Sequence, residues 1–259
     1  MAIKIFIVDA FTDQLFKGNT AAVCLPSQWP DVEIMQNIAL ENNLSETVFA
    51  VKEDDGYRLR WFTPTTEVDL CGHATLAASH VIFSLLEPEN ENLKFYSKSG
   101  DLAVSRQSDL YLLDFPAWPP APLNEPPLLA AALGAEPLAV YQSRDLLALF
   151  RNQDEVTSIQ PDLSLLKQIP YLGVIVTAQG QDVDFVSRFF APRVGVDEDP
   201  VTGSAHCSLI PFWSKRLNKD HLTARQLSPR GGELSCVHKR DRVLIGGHAI
   251  MYSQGEILL

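Results

Sequence analysis

What this sequence has little of excludes several kinds of protein. Its four cysteines, Cys24, Cys71, Cys207 and Cys236, are scattered and form no Cys-x-x-Cys pair of the type used by zinc and redox sites. No apolar run approaches the roughly 18 residues that a membrane span needs, and the N-terminus lacks the basic and apolar profile of a secretion signal. We therefore expect a cytoplasmic protein with reduced thiols and no membrane partner.

Motifs for nucleotides, acyl hydrolysis and metals are also missing. The chain contains no Gly-x-Gly-x-x-Gly sequence, no Walker loop and no Gly-x-Ser-x-Gly sequence, which argues against nucleotide-binding and α/β-hydrolase functions. His73 and His80 lie on one face of a predicted helix, but no third residue has the spacing of a metal ligand. We expect no metal site.

Positive charge is in short supply as well. The 259 residues include 21 Lys and Arg against 32 Asp and Glu, so the formal net charge is −11. Such an acidic chain is a poor partner for nucleic acid or anionic membranes. An anionic substrate would have to be bound by local hydrogen-bond donors against the field of the whole molecule.

One pattern is present twice. Residues 60–74 read RWFTPTTEVDLCGHA and residues 188–205 read RFFAPRVGVDEDPVTGSA, with Arg, Phe, Pro, Gly and Ala in the same order. An apolar run follows each copy, over residues 74–86 and 205–217. The repeat predicts two similar units, each with a strand, a loop and a helix that begins at a glycine.

The two predicted helix starts, at Gly72 and Gly203, are candidate anion sites. The first N–H groups of a helix have no partner inside it, and the helix dipole is positive at this end. A pair of such ends could hold one small anion between them. Chance similarity between two short segments is the alternative reading of the repeat.

The remaining pattern favours an α+β fold. Strand-like runs outnumber helical runs, and they follow one another along the chain instead of alternating with helices. The segment FPAWPPAPLNEPP, residues 115–127, is dense in proline, which removes backbone donors. We interpret it as an extended linker without secondary structure.

Glu46 is the first candidate for chemistry. If residues 44–51 form a strand, Glu46 shares a face with Leu44, Val48 and Ala50, and loss of hydration would raise its pKa toward neutrality. The alternative is an exposed glutamate at the start of a strand. His73 could carry a proton or serve as a structural donor, Asp199 could orient a substrate or begin a turn, and Ser204 could contact substrate or cap a helix.

These residues resemble the phenazine biosynthesis PhzF family, within the diaminopimelate-epimerase-like superfamily. The resemblance extends from position 9 to position 205 and is carried by the segments DAFT (9–12), FKGNTAAV (16–23), NLSET (43–47), RWFTPTTE (60–67), CGHAT (71–75) and EDPVTGSA (198–205). No single segment is specific, but together they are.

The resemblance implies the architecture. Family members have two similar α+β domains, each a strand barrel wrapped around a central helix, with the active site in the cleft between them. We expect the first domain over residues 1–115, joined by a C-terminal strand at about 245–259. The second domain, after the proline-rich linker, is expected over residues 116–244.

The resemblance also implies site roles. Glu46 matches the family's proton-shuttling glutamate, and His73, Asp199 and Ser204 match its supporting residues. Gly72 and Gly203 match the glycines whose following amides hold the substrate carboxylate, and Asn19 falls in a segment that lines the cleft. The family's chemistry is isomerisation without a cofactor, and relatives are commonly homodimers.

Cys71 occupies the position of one of the two catalytic thiols of the epimerase relatives. The opposite motif reads Asp199-Pro200-Val201 and contains no matching cysteine, which disfavours a two-thiol racemase. We expect an isomerase that moves a proton on a small carboxylate-bearing metabolite. The alternatives are a non-catalytic metabolite-binding protein and a thiol-dependent racemase that uses Cys71.

Overall fold

The computed structural model describes residues 2–259. The elements of its first part are β1 (Ala2–Ala10), β2 (Asn19–Leu25), α1 (Val32–Asn42), β3 (Glu46–Glu53), β4 (Gly56–Phe62), β5 (Glu67–Val68), α2 (Gly72–Leu85), β6 (Asn92–Ser97), β7 (Gly100–Gln107) and β8 (Leu110–Pro116). Those of the second part are β9 (Ala121–Leu123), α3 (Leu129–Leu133), β10 (Ala139–Gln142), β11 (Leu146–Leu149), α4 (Gln153–Ser158), α5 (Leu163–Leu166), β12 (Val174–Gln179), β13 (Phe185–Phe190), a 3₁₀ turn (Pro192–Val194), α6 (Gly203–Leu217), β14 (His221–Gln226), β15 (Gly232–Lys239), β16 (Arg242–Gly247) and β17 (Ala249–Leu258).

The chain divides into two compact units. Of the described residues, the first contains 2–114 and 246–259, and the second contains 115–245. Strand β17 belongs to the first unit and pairs antiparallel with β1 along its whole length. Among the helices formed by residues 2–259, none is long and apolar enough to cross a membrane.

The first unit is built around helix α2. Strands β17, β1, β2, β3 and β4 pair in that order, and β4 then pairs in parallel with β6, which follows α2. Helix α2 packs on β1, β2, β3 and β17 and is buried over most of its length. An apolar run with no polar face is the pattern of a helix enclosed on all sides.

The second unit repeats this order of strands. In each unit the first two strands pair antiparallel, the third pairs in parallel with the second, and the fourth pairs antiparallel with the third. The strand that follows the long helix then pairs in parallel with the fourth. The sequence β1, β2, β3, β4, α2, β6, β7 corresponds to β10, β11, β12, β13, α6, β14, β15. The repeated pattern in the sequence thus coincides with a repeated topology.

The proline-rich stretch is not free of secondary structure, so this expectation was wrong. Strand β8 extends to Pro116, and β9 pairs antiparallel with β10, with Pro122 opposite Tyr141. Proline fits a strand at a position whose N–H is not needed by the ladder. Because β9 contains only three residues, the composition of this proline-rich stretch did not reveal the strand.

Candidate functional site

Glu46 is the first residue of β3, and most of its side chain is buried. Helix α1 ends at Asn42 and is capped by Asn43, whose φ of 49° turns the chain and whose N–H donates to the carbonyl of Ala39. Strand β3 then enters the sheet with Glu46 opposite Ala21 of β2. The Glu46 side chain keeps 18% of its surface exposed, so the carboxylate is at the start of a strand and still largely removed from water.

Helix α2 begins beside this carboxylate without a cap. Cys71, at the N-cap position, has an extended backbone. Its side chain accepts no hydrogen bond from a helix N–H, as the side chain of Ser, Thr or Asp would at this position. The carbonyl of Cys71 accepts from the N–H and hydroxyl of Thr75. The amides of Gly72 and His73 have no partner inside the helix and lie at its positive end, as an anion site requires.

The imidazole of His73 joins the polar groups of this site. Its Nε2 lies 3.1 Å from Oε2 of Glu46. On the other side of the ring, Nδ1 lies 3.5 Å from Sγ of Cys71 and 3.2 Å from Nδ2 of Asn19. The contact with Glu46 has the distance of an ion pair, but the two groups are not aligned as a hydrogen bond.

Burial and the charge of Glu46 act in opposite directions on the pKa of His73 and in the same direction on that of Cys71. Burial alone would lower the pKa of His73, but the negative charge of Glu46, 3.1 Å from Nε2, raises it above its usual value. Burial, followed by the Glu46 carboxylate, raises the pKa of Cys71. The thiol is therefore protonated at neutral pH, and Glu46 is the anion that favours an imidazolium at His73.

Within residues 2–259, one group of three or more metal-ligating side chains has an atom of each within 4.8 Å of the others: Glu46, Cys71 and His73. However, the shortest contacts of Cys71 and Glu46 are to opposite nitrogens of the same imidazole. An ion bound to one of these nitrogens would therefore require Glu46 or Cys71 to leave its present contact with the other nitrogen. The cluster fits a proton relay better than a metal centre.

In the second unit, Asp199 is held by its own loop. Its Oδ2 accepts a hydrogen bond of 2.6 Å from the hydroxyl of Thr202. Thr202 is the N-cap residue of α6, and because its hydroxyl is turned to Asp199 it caps no helix amide. Gly203 is buried and Ser204 half-buried at the first turn of α6, so this helix also begins with uncapped amides.

Gln226 organises this loop and was missed in the sequence. It is fully buried at the end of β14. Its Oε1 accepts from the N–H of Thr202, and its Nε2 donates to the carbonyl of Asp199 and to the hydroxyl of Thr202. A lone glutamine at the end of a strand carries no sequence signal for such a role.

Two arginine–glutamate pairs were also missed, although the repeated pattern contains them. Nε and Nη2 of Arg60 donate to the two carboxylate oxygens of Glu67 over 2.7 and 2.8 Å. Arg188 makes the same paired contact with Glu198 over 2.7 and 3.0 Å. Each guanidinium also lies over the phenylalanine two residues further on, Phe62 or Phe190.

These pairs explain part of the repeat. Each glutamate belongs to the segment between the arginine strand and the long helix, so the bidentate pair ties that segment back to its strand. The recurrence of Arg-x-Phe in both copies was the available signal. The spacing to the glutamate differs between the copies, seven residues in one and ten in the other, which hid the correspondence.

Comparison with known proteins assigns the family. A sequence model described as "Phenazine biosynthesis-like protein" matches residues 8–255. The chain belongs to this family. A family relative from Pseudomonas aeruginosa, named an uncharacterized isomerase, is 52% identical, and the match covers 100% of both chains.

Solved structures agree with the family and confirm the predicted fold class. A PhzF family protein of Enterococcus faecalis superimposes with a TM-score of 0.98 at 50% identity, over 100% of both chains. A hydroxyproline epimerase of Agrobacterium vitis, solved with trans-4-hydroxy-L-proline, gives a TM-score of 0.66 over 99% of this chain and 92% of its own at 12% identity. The latter shows a shared fold alone. The names of the close relatives support an enzyme of the isomerase class.

Proposed function

We propose that this protein is a cofactor-independent isomerase that moves a proton on a small carboxylate-bearing metabolite, with Glu46 as the general acid and base. The observation that carries the proposal is the contact between the Glu46 carboxylate and His73 beside the uncapped start of α2. A carboxylate that is mostly buried next to an imidazole is suited to accept and return a proton.

The start of α2 supplies the binding part of the proposal. The amides that follow Gly72 would hold the substrate carboxylate and stabilise negative charge that develops on the neighbouring carbon. His73 would polarise the substrate or donate to it through Nε2. Asp199, Gly203 and Ser204 belong to the second unit, and their assignment as catalytic or substrate-binding residues remains a prediction from the sequence.

Cys71 is not the base in this proposal. Its thiol is buried and its pKa is raised, so the thiolate that a thiol-dependent racemase needs is disfavoured. Its place beside Nδ1 of His73 gives it a supporting position instead.

The test is exchange of substrate hydrogen with heavy water. Amino acids and cyclic hydroxy acids would be incubated with the protein in D₂O, and deuterium incorporation would be followed by mass spectrometry. For a compound that exchanges, Glu46→Gln should reduce the rate by roughly 10²–10⁴-fold, the usual contribution of a general acid or base. Glu41→Gln, at an exposed position of α1, is the matched control and should exchange normally.

Two results would contradict the proposal. Exchange that persists in Glu46→Gln would show that Glu46 is not the general base. A compound that binds tightly but never takes up deuterium would favour the non-catalytic binding protein.

A further inference from the structure

Asn19 is wholly buried, and its side chain contacts the imidazole instead of projecting toward solvent. It is the first residue of β2, where it pairs with Ala10 of β1. Its Nδ2 lies 3.2 Å from Nδ1 of His73. A role through His73 therefore fits its position better than the direct substrate contact predicted from the sequence.

The two sides of the His73 ring have different partners. Nδ1 faces the amide of Asn19 and the thiol of Cys71, and both groups are hydrogen-bond donors. Nε2 faces the acceptor oxygen of Glu46. A neutral imidazole in these surroundings has its lone pair at Nδ1 and its proton at Nε2, because the partner of one nitrogen decides which nitrogen is protonated.

The imidazolium needs a different partner at Nδ1. When both nitrogens carry protons, the amide N–H of Asn19 would oppose the new proton at Nδ1. A half turn of the amide brings its carbonyl oxygen to the same place, and an oxygen accepts from that proton. A primary amide is thus a partner for both charge states of a buried ring, which neither a carboxylate nor an alkyl side chain can be.

We propose that Asn19 is a positioning residue that controls the protonation of His73: it keeps the proton of the neutral ring on Nε2, facing Glu46, and turns its oxygen to Nδ1 when the ring is charged. The inference rests on the proposed function of Glu46 and His73. It assigns Asn19 an effect on chemistry that does not require contact with substrate.

The test is NMR of the full chain labelled with ¹⁵N-histidine, which reports the charge and tautomer of His73 in the free protein. Glu46, Cys71 and Asn19 are the groups that face this ring from β3, the start of α2 and β2. In the wild type, the neutral ring should carry its proton on Nε2. Asn19→Asp should raise the pH at which His73 loses its proton by at least one unit, and Asn19→Leu should lower it.

Asn152→Asp is the matched control, because it adds the same charge at an N-cap position of the second unit. It should leave His73 unchanged. Equal titration of His73 in Asn19→Asp, Asn19→Leu and wild type would overturn the proposal. A neutral wild-type ring with its proton on Nδ1 would overturn it too, and this measurement needs no variant.

The outcomes also separate this inference from the proposed function. Loss of exchange in Glu46→Gln together with unchanged titration in the Asn19 variants would keep the reaction and reject the role of Asn19. Shifted titration with exchange intact in Glu46→Gln would keep the role of Asn19 and reject Glu46 as the base.

Discussion

At the scale of single residues, the surroundings of each cysteine determine the pKa of its thiol. Four cysteines are free and buried among residues 2–259. Cys71 alone among them has an imidazole within 3.5 Å, and its thiol still has a raised pKa because of burial and Glu46. Position beside an imidazole does not make this sulfur a nucleophile.

Replacement of this sulfur is therefore expected to be mild. Cys71→Ser should change the exchange rate by less than about tenfold, since loss of a true general acid or base costs roughly 10²–10⁴-fold. The measurement is deuterium incorporation into the same compound at saturating concentration. Cys236→Ser, at another buried thiol outside this cluster, controls for the cost of a hydroxyl in the core.

A rate loss as large as that of Glu46→Gln would assign Cys71 a direct part in proton transfer. Inactivation of the wild type by an alkylating reagent, absent in Cys71→Ser, would support the same conclusion. Either result would favour the thiol-dependent alternative.

At the scale of elements, the long helices depend on side chains that lie outside them. Gln226 at the end of β14 bonds to the N–H of Thr202 and to the carbonyl of Asp199, the loop that leads into α6. This loop has no internal cap to replace those bonds, because the Thr202 hydroxyl is committed to Asp199. The start of α6 should therefore be sensitive to a residue far from it in sequence.

Gln226→Leu should lower the free energy of unfolding by about 1–3 kcal/mol for each buried backbone group left without a partner. Urea denaturation at pH 7 measures the difference. Gln36→Leu removes a single bond, from a half-buried glutamine to the carbonyl of Thr63, and should cost less. Equal losses in the two variants would mean that Gln226 does not organise the loop.

The arginine–glutamate pair of the first unit predicts a pH dependence of stability. Arg60, with burial opposing it, lowers the pKa of Glu67 from 4.5 to about 2, and Lys98 contributes in the same direction. A group whose pKa is lower in the folded state stabilises the fold above its unfolded pKa. This contribution is complete above pH 4.5 and is lost as the pH falls toward 2.

Glu67→Gln should accordingly be less stable than the wild type at pH 7, with the gap closing between pH 4.5 and 2. Thermal unfolding across this range measures the gap. Glu233→Gln is the control, because the Glu233 side chain is 69% exposed in its pair with Arg225 and such pairs contribute little. A gap for Glu67→Gln that stays constant with pH would show that the charge does not matter.

Some elements of the structure could be predicted from the sequence, and others could not. The two long helices and their starting glycines were predictable, because each glycine is followed by a mostly apolar run that is longer than a typical strand. Strand β9 was not, because proline content suggests a linker and the pairing that makes it a strand comes from β10. The contact of Asn19 with His73 joins residues 54 positions apart, and no local pattern reports such a distance.

At the scale of the whole molecule, the first unit is assembled from both ends of the described chain. Strand β1 pairs with β2 on one side and with β17 on the other. Removal of residues 249–259 should therefore expose one edge of β1. Hydrogen exchange measured by mass spectrometry should show loss of protection in β1, while β12 in the second unit keeps its protection.

Retained protection of β1 in the shortened chain would show that its pairing with β2 is sufficient. Loss of protection in both units would show that the second unit does not fold independently of the first. The second unit has its own core of apolar residues around Leu146, Val176 and Val186. We therefore expect it to keep its protection in the shortened chain.

The pairing of β1 with β17 also sets an order of events during synthesis. The second unit is one continuous segment, residues 115–245, so its strands are translated before β17. Strand β1 must wait for its second neighbour until residues 11–248 have been made. The nascent chain thus carries an open strand edge while these residues are translated, and an unpaired edge is exposed to aggregation and to chaperones.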